Sequence, residues 1–488
     1  MALFLSCVVL AAVAAVSCGE GTPQDVGETR SPSGSGAASG EPAESAAPHY
    51  DIPEPDLGEL DFGGEMFGIL ASDVSAVYAE SLIGEIVNDA IYNRNLAIEQ
   101  RFNLKFRMDS SESLGFFPTV ATQLLLSGDT TYTLFSDTAT GFCDCLTTGA
   151  FLDMRSLPYC DFTRSYWNQY ALEGTSIKGR NYFMPTDFSH KSITSAQIVY
   201  FSQKIVSEND LENPYDFVDN NTWTLDNYLT MIRQVSRDLN GDGQMDTEDQ
   251  YGVLLRSGRR FGTFLQLFFA SGMHYTTTDE EGARVIDVDS EKAQALVDRL
   301  SPVFLDKAVA IDFDRYREAT GYDPELFFMS DRALFMHDSI DALMTIREME
   351  TDFGVLPNPK YDSSQDGYYH KASPFAQVFA VGNNADVERA GAVLEYASWL
   401  SHYTVMPAYY EVTIKQKRTR DEKALEILDI IHDSIYFDIG DLIEYVDMCT
   451  YTWKSFEQGS FARGFDTMRK KINKALDKYT RQLDSLES

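Results

Sequence analysis

The sequence predicts an α/β protein built in two lobes, and three observations predict it. The chain is 488 residues long, beyond the size at which a single hydrophobic core usually stops growing. Short apolar runs of strand type alternate with segments whose apolar residues fall three and four apart, the pattern of largely parallel sheets covered by helices. Apolar residues make up 44% of the composition and aromatics 12%, enough for more than one core.

The N-terminal end stands apart from that fold. Residues 3–16 are apolar or small throughout, too short a run for a bilayer span of about 20 helical residues but of the length of a signal-peptide core. The run ends in Ala15-Val16-Ser17-Cys18, which looks like a bacterial lipobox, making residues 1–18 the leader and Cys18 the lipidated residue; a secretory leader cleaved nearby is the alternative. Residues 19–60 are dominated by Gly, Ser, Pro, Ala and acids, a composition that cannot bury enough surface to offset chain entropy. They read as a disordered acidic tether.

The body opens with a strand at residues 66–70 and a helix at 88–102, whose Ala90, Ile91, Ala97, Ile98 and Phe102 fall on one face. Strands follow at 104–108, 132–136 and 195–201. Leu225, Tyr228, Leu229, Ile232 and Val235 mark the buried face of a helix with Thr224 at its N-cap. Two more strands lie at 333–336 and 353–356, the second stopped by Pro357 and Pro359. Phe465, Met468, Ile472, Leu476 and Tyr479 define a terminal helix.

The formal charge of −35 and pI of about 4.4 would repel phosphate backbones, which excludes nucleic acid as a partner. Beyond the leader stand Cys143, Cys145, Cys160 and Cys449, in a spacing that does not suit structural zinc. They read as buried thiols or as one bridge to Cys160.

The order of several motifs resembles the extracellular solute-binding proteins of bacterial ABC importers, in the branch that includes maltose-binding protein. The pieces are Val87-Asn-Asp-Ala-Ile-Tyr-Asn-Arg-Asn95, Tyr132-Thr-Leu-Phe135 followed by Gly149-Ala-Phe-Leu-Asp153, Gly179-Arg-Asn-Tyr-Phe-Met-Pro185, Ile198-Val-Tyr-Phe201, Thr222-Trp-Thr224, Arg332-Ala-Leu-Phe335 and Phe353-Gly-Val-Leu-Pro-Asn-Pro-Lys-Tyr361. The resemblance implies a type II periplasmic-binding-protein-like fold, with discontinuous lobes joined by a hinge that closes over a ligand. By analogy residues 61–191 and 331–381 form the first lobe, and residues 192–330 and 382–488 the second. It also implies a monomer, held at the extracellular face of the cell membrane by lipid alone, that passes a sugar or oligosaccharide to ABC permease subunits without catalysis. A secreted glycoside hydrolase and a surface sensing or adhesion module remain the alternatives.

One motif stands on its own. Asp238-Leu-Asn-Gly-Asp-Gly-Gln-Met-Asp-Thr-Glu-Asp249 has the spacing of an EF-hand calcium loop, with Asp in place of Glu at its last position. Asp238, Asn240, Asp242, the Gln244 carbonyl, Asp246 and Asp249 would converge on Ca2+ while Gly243 permits the turn, giving a structural site. For the sugar, aromatic faces suit the apolar side of the ring and carboxylates its hydroxyls. The resemblance implies Trp453 as a stacking platform and Asp137, Asp187 and Asp338 as hydroxyl-binding acids, with Trp167 and Phe188 as further candidates. Trp223 reads as a packing residue.

Overall fold

Two mixed sheets carry the fold in the computed structural model, which describes residues 52–488 except 257–261, 415–421, 444, 464 and 487–488. The leader, Cys18 and the tether up to residue 51 lie outside the described residues. The first sheet has four strands in the order Gln377–Val381, Leu134–Thr138, Glu65–Ala71, Leu104–Ser110. The last three run parallel, and Gln377–Val381 joins antiparallel. Glu65–Ala71 is buried on both faces from Phe67 onward, as a strand with cover on both sides must be.

The second sheet has five strands, in the order Phe353–Leu356, Gln197–Ser202, Ala333–Ser339, Tyr251–Leu255, Ala310–Asp312. Ala333–Ser339 pairs antiparallel with Gln197–Ser202 and parallel with Tyr251–Leu255. This corrects the expected lobe boundary: residues 331–356 belong with the second sheet, and the chain rejoins the first only at Gln377. The apolar runs mark both strands, but a run buried on both faces carries no information about its neighbour.

The C-terminal region is corrected in the same way. Helix Val387–Tyr403 packs beside helix Ile86–Phe102 of the first half, where Arg94 Nη1 donates to Ser401 Oγ at 3.0 Å. Helix Glu422–His432 packs against strand Phe353–Leu356 of the second sheet. The terminal helix Phe465–Ser485 touches both halves, accepting from the Ile286 amide through Asn473 and donating from Tyr479 Oη to the Cys143 carbonyl. The described residues accordingly form one contact unit.

Residues 52–60 are not part of a tether. Ile52 and Leu57 are buried, and Trp399 Nε1 donates to the Ile52 carbonyl at 3.0 Å. The acidic composition hid these two apolar anchors. No disulfide joins Cys143, Cys145, Cys160 or Cys449, so the bridge to Cys160 does not form. Thr224 occupies the N-cap of helix Leu225–Val235, but its carbonyl accepts Tyr228 N and its side chain makes no cap hydrogen bond.

Three histidines are buried as neutral imidazoles. His337 sits 2.7 Å from Tyr228 Oη, and His370 accepts from Asn358 N at 3.0 Å. Burial holds both down at about 3 and His190 at about 4, from an ordinary 6.5. As pH falls below 6.5 the unfolded chain binds protons that the native state refuses, so each group lowers stability by about 1.4 kcal/mol per pH unit until its native pKa is reached. Urea unfolding at pH 7, 6, 5 and 4 should therefore show steadily falling stability. A flat profile across that range would contradict neutral burial.

Candidate ligand-binding site

Ligands in α/β folds collect beyond the carboxyl ends of parallel strands, where neighbouring loops diverge. In the first sheet this edge presents Asp137, near the end of Leu134–Thr138. Its carboxyl is buried and held above the usual range by that burial. In the second sheet Asp338 lies near the end of Ala333–Ser339 beside Arg256, whose Nη2 lies 2.7 Å from Asp338 Oδ2 and whose guanidinium covers the Phe313 ring at 4.1 Å. Each acid is the penultimate residue of its strand, and Asp338 is already paired with Arg256.

Between the sheets the chain crosses through Thr186, Asp187 and Phe188. Both Asp187 oxygens are engaged, Oδ2 by His402 Nδ1 at 2.7 Å and Oδ1 by His432 Nε2 at 2.9 Å. Burial alone would raise this carboxyl, but the His432 charge and the two imidazole hydrogen bonds outweigh it and hold it down at about 2. Asp187 is thus committed to protein partners and does not present a free oxygen to a sugar.

Phe188 is fully buried, stacked on Phe379 at 5.2 Å and roofed by the Arg94 guanidinium at 4.4 Å. Trp167 is equally buried and gives its Nε1–H to Glu395 Oε2 at 2.8 Å, while Tyr166 Oη donates to the other oxygen. These two candidates are core residues, corrected by their burial. Trp453 is half-buried on helix Tyr445–Glu457, its ring 5.5 Å from Phe456. The described contacts do not join the six candidates into one pocket. Trp223 is buried and bonded to the Pro357 carbonyl, the packing role expected.

An aromatic patch was not foreseen. The His274 ring stacks on Tyr436 at 3.8 Å, Tyr369 stands edge-on to His274 at 6.0 Å, and Tyr170 lies 5.9 Å from Tyr369. Tyr170 precedes the crossing and the other three follow it; Tyr170, His274 and Tyr369 are half-buried and Tyr436 is buried. Its only trace in the sequence is the abundance of tyrosine, 26 in all.

The acidic loop has the internal hydrogen bonds its spacing implies. Asp238 accepts Gly241 N at 2.6 Å and Gly243 N at 2.8 Å, Asn240 accepts Asp242 N at 2.9 Å, and Asp242 accepts Gln244 N at 2.8 Å. Gly241 and Gly243 adopt φ of 75° and 80°, the left-handed region that favours glycine. Asp249 is buried and bridges the loop, accepting Leu239 N at 2.9 Å and Asp246 N at 2.8 Å. Burial would raise its carboxyl, but these backbone donors hold it below the usual range. Arg237 and Gln250 close the neck as an antiparallel bridge. The hard, all-oxygen donor set fits calcium; a helix enters the loop but strand Tyr251–Leu255 leaves it.

No family model and no curated protein matches the chain. Solved structures do match its fold. The sugar-binding protein MalE from Xanthomonas citri aligns over 86% of this chain and 99% of its own at 10% identity with a TM-score of 0.57. The chain has the fold of a solute-binding protein. A sugar transporter from Rhizobium etli in an open conformation aligns with the same two coverages at 13% identity and a TM-score of 0.53. A family 1 extracellular solute-binding protein from Bifidobacterium longum subsp. infantis does so at 14% identity and 0.51. In this fold the two sheets are the two halves, and residues 185–196 are one of the segments that connect them.

The assignment of Trp167 to the core has a direct check. Trp167→Phe should lower stability by about 1–3 kcal/mol, because Glu395 loses a buried donor, while leaving affinity for any bound sugar unchanged. Urea unfolding and calorimetric titration of the same preparation measure both.

Proposed function

We propose that the protein captures a carbohydrate between its halves and hands it to the permease of an ABC importer, from an extracellular position fixed by lipid on Cys18. The observation that carries this reading is the aromatic patch in which half-buried Tyr170, His274 and Tyr369 gather against buried Tyr436, set in a solute-binding fold and drawn from chain on both sides of the crossing. Aromatic faces match the apolar side of a pyranose, and Glu173, exposed one turn from Tyr170, supplies a carboxylate for hydroxyls. Asp137 and Trp453 are proposed as further contacts. Closure over the ligand performs the work, and no bond in the sugar needs to break.

A thermal-shift screen against mono- and oligosaccharides, with amino acids and peptides as the contrast, tests this. A stabilising sugar whose effect follows mass action supports it, whereas stabilisation by peptides alone would reject it. Tyr369→Ala should then weaken sugar binding about tenfold, about 1.4 kcal/mol, with little change in the unfolding midpoint.

We further propose that the 238–249 loop binds one Ca2+ and that the ion stiffens the link between helix Leu225–Val235 and strand Tyr251–Leu255. The melting temperature should fall when calcium is removed by chelator and recover on its return. Asp238→Asn should abolish that difference.

A further inference from the structure

Asp187, His402 and His432 come from three separate stretches of chain and meet at one buried point. Asp187 lies in the crossing, His402 near the end of helix Val387–Tyr403 and His432 at the end of helix Glu422–His432. One ligand atom from each, a carboxylate oxygen and two imidazole nitrogens, lies within 4.8 Å of the other two. The two rings stand 6.1 Å apart at 61°, angled around the carboxylate between them.

Two details bear on a metal, which on binding at Nε2 would displace the proton that His432 carries between Asp187 and Asp433. His432 offers Nε2 to the shared point while its Nδ1 is 2.9 Å from Asp433 Oδ1. A carboxylate on the far nitrogen is the arrangement that orients a metal-bound imidazole and raises its basicity. His402 is also buried, and its Nε2 has no hydrogen-bond partner among the described residues, so the contact of Nδ1 with Asp187 is the polar contact that orients the ring. Two nitrogens and one carboxylate oxygen suit a borderline divalent ion, unlike the all-oxygen loop at 238–249.

We propose that Asp187, His402 and His432 form a binding site for a divalent transition metal, Zn2+ by its donor set, at the crossing between the two halves. Bond lengths of about 2.0–2.2 Å place neighbouring ligand atoms about 3.3 Å apart. His402 and His432 now contact different Asp187 oxygens, at 2.7 and 2.9 Å, so to admit the ion these contacts would open and both nitrogens would turn toward a shared point beside the carboxylate. Three protein ligands leave a fourth position for water. The ion would tie the crossing to a helix packed on the first half and to a helix packed on the second, so its occupancy would stiffen the hinge. This site does not depend on the identity of the transported solute.

The test uses the full chain, stripped of metal and then saturated with Ca2+ so that the acidic loop does not compete. Zn2+ titrated calorimetrically should bind at one equivalent per chain and raise the melting temperature. Co2+ should give the visible absorption of a four-coordinate site. His402→Ala and His432→Ala should each abolish the Co2+ spectrum and the zinc-dependent shift, and Asp433→Asn should weaken zinc about 10- to 100-fold without changing the stoichiometry. If His432→Ala does not fold, His402→Ala and Asp433→Asn carry the same readouts. Absence of stoichiometric zinc on the wild-type chain, or zinc binding undiminished in the histidine variants, would overturn the proposal and leave the cluster as a hydrogen-bonded strut.

Discussion

The crossing at residues 186–192 is the constraint on which the rest of the molecule depends. A segment that runs between two sheets lies outside both ladders, and its buried polar groups must be satisfied locally: Thr186 pairs with Trp167 as an isolated antiparallel bridge, Asp187 N donates to the Tyr166 carbonyl at 3.2 Å, and Ser192 N donates to the Ser189 carbonyl at 3.0 Å. Distant chain then anchors the side chains of the crossing and one of its carbonyls. Arg94 donates to the Phe188 carbonyl at 2.7 Å, Gln377 pairs with Ser189 at 2.6 Å and gives its carbonyl to Ser192, and Thr186 meets Ser398 at 2.5 Å. Asp187 between its two imidazoles belongs to the same set. Both the disposition of the halves and the commitment of Asp187 follow from this need for polar partners.

The elements were legible in the sequence because they are local. The strand at 353–356 coincides with its structural bounds, the helix around Asn88–Phe102 differs only at its start, and the helix with Leu225, Tyr228 and Ile232 inward is found as expected. The acidic loop was legible for the same reason, since its oxygens and glycines occupy a twelve-residue stretch. Strand partners were not. Ala333–Ser339 has the same apolar character whichever sheet it joins, and only its register against Gln197–Ser202 decides.

Site residues were the least legible. Trp167 and Phe188 are large apolar groups, and near a crossing the hydrophobic drive that would hold them against a sugar holds them equally well against Glu395, Arg94 and Phe379. The aromatic patch is assembled from a helix, two loops and a short strand, and no periodicity connects Tyr170 to Tyr436. The histidines show no metal-ligand spacing, and Asp187 lies more than two hundred residues from either, His402 being 215 and His432 245 positions away.

The four free cysteines bear on how such a protein matures. Cys143, Cys145 and Cys449 are buried, and burial pushes the Cys145 thiol up to about 12 and the Cys143 and Cys160 thiols well above their ordinary value. The thiolate is the reactive form, so the folded chain offers almost none to an oxidant. In an extracellular setting these four cysteines would have no bridge to form or to reshuffle. There, oxidation of these thiols would be confined to the interval before the core closes over them.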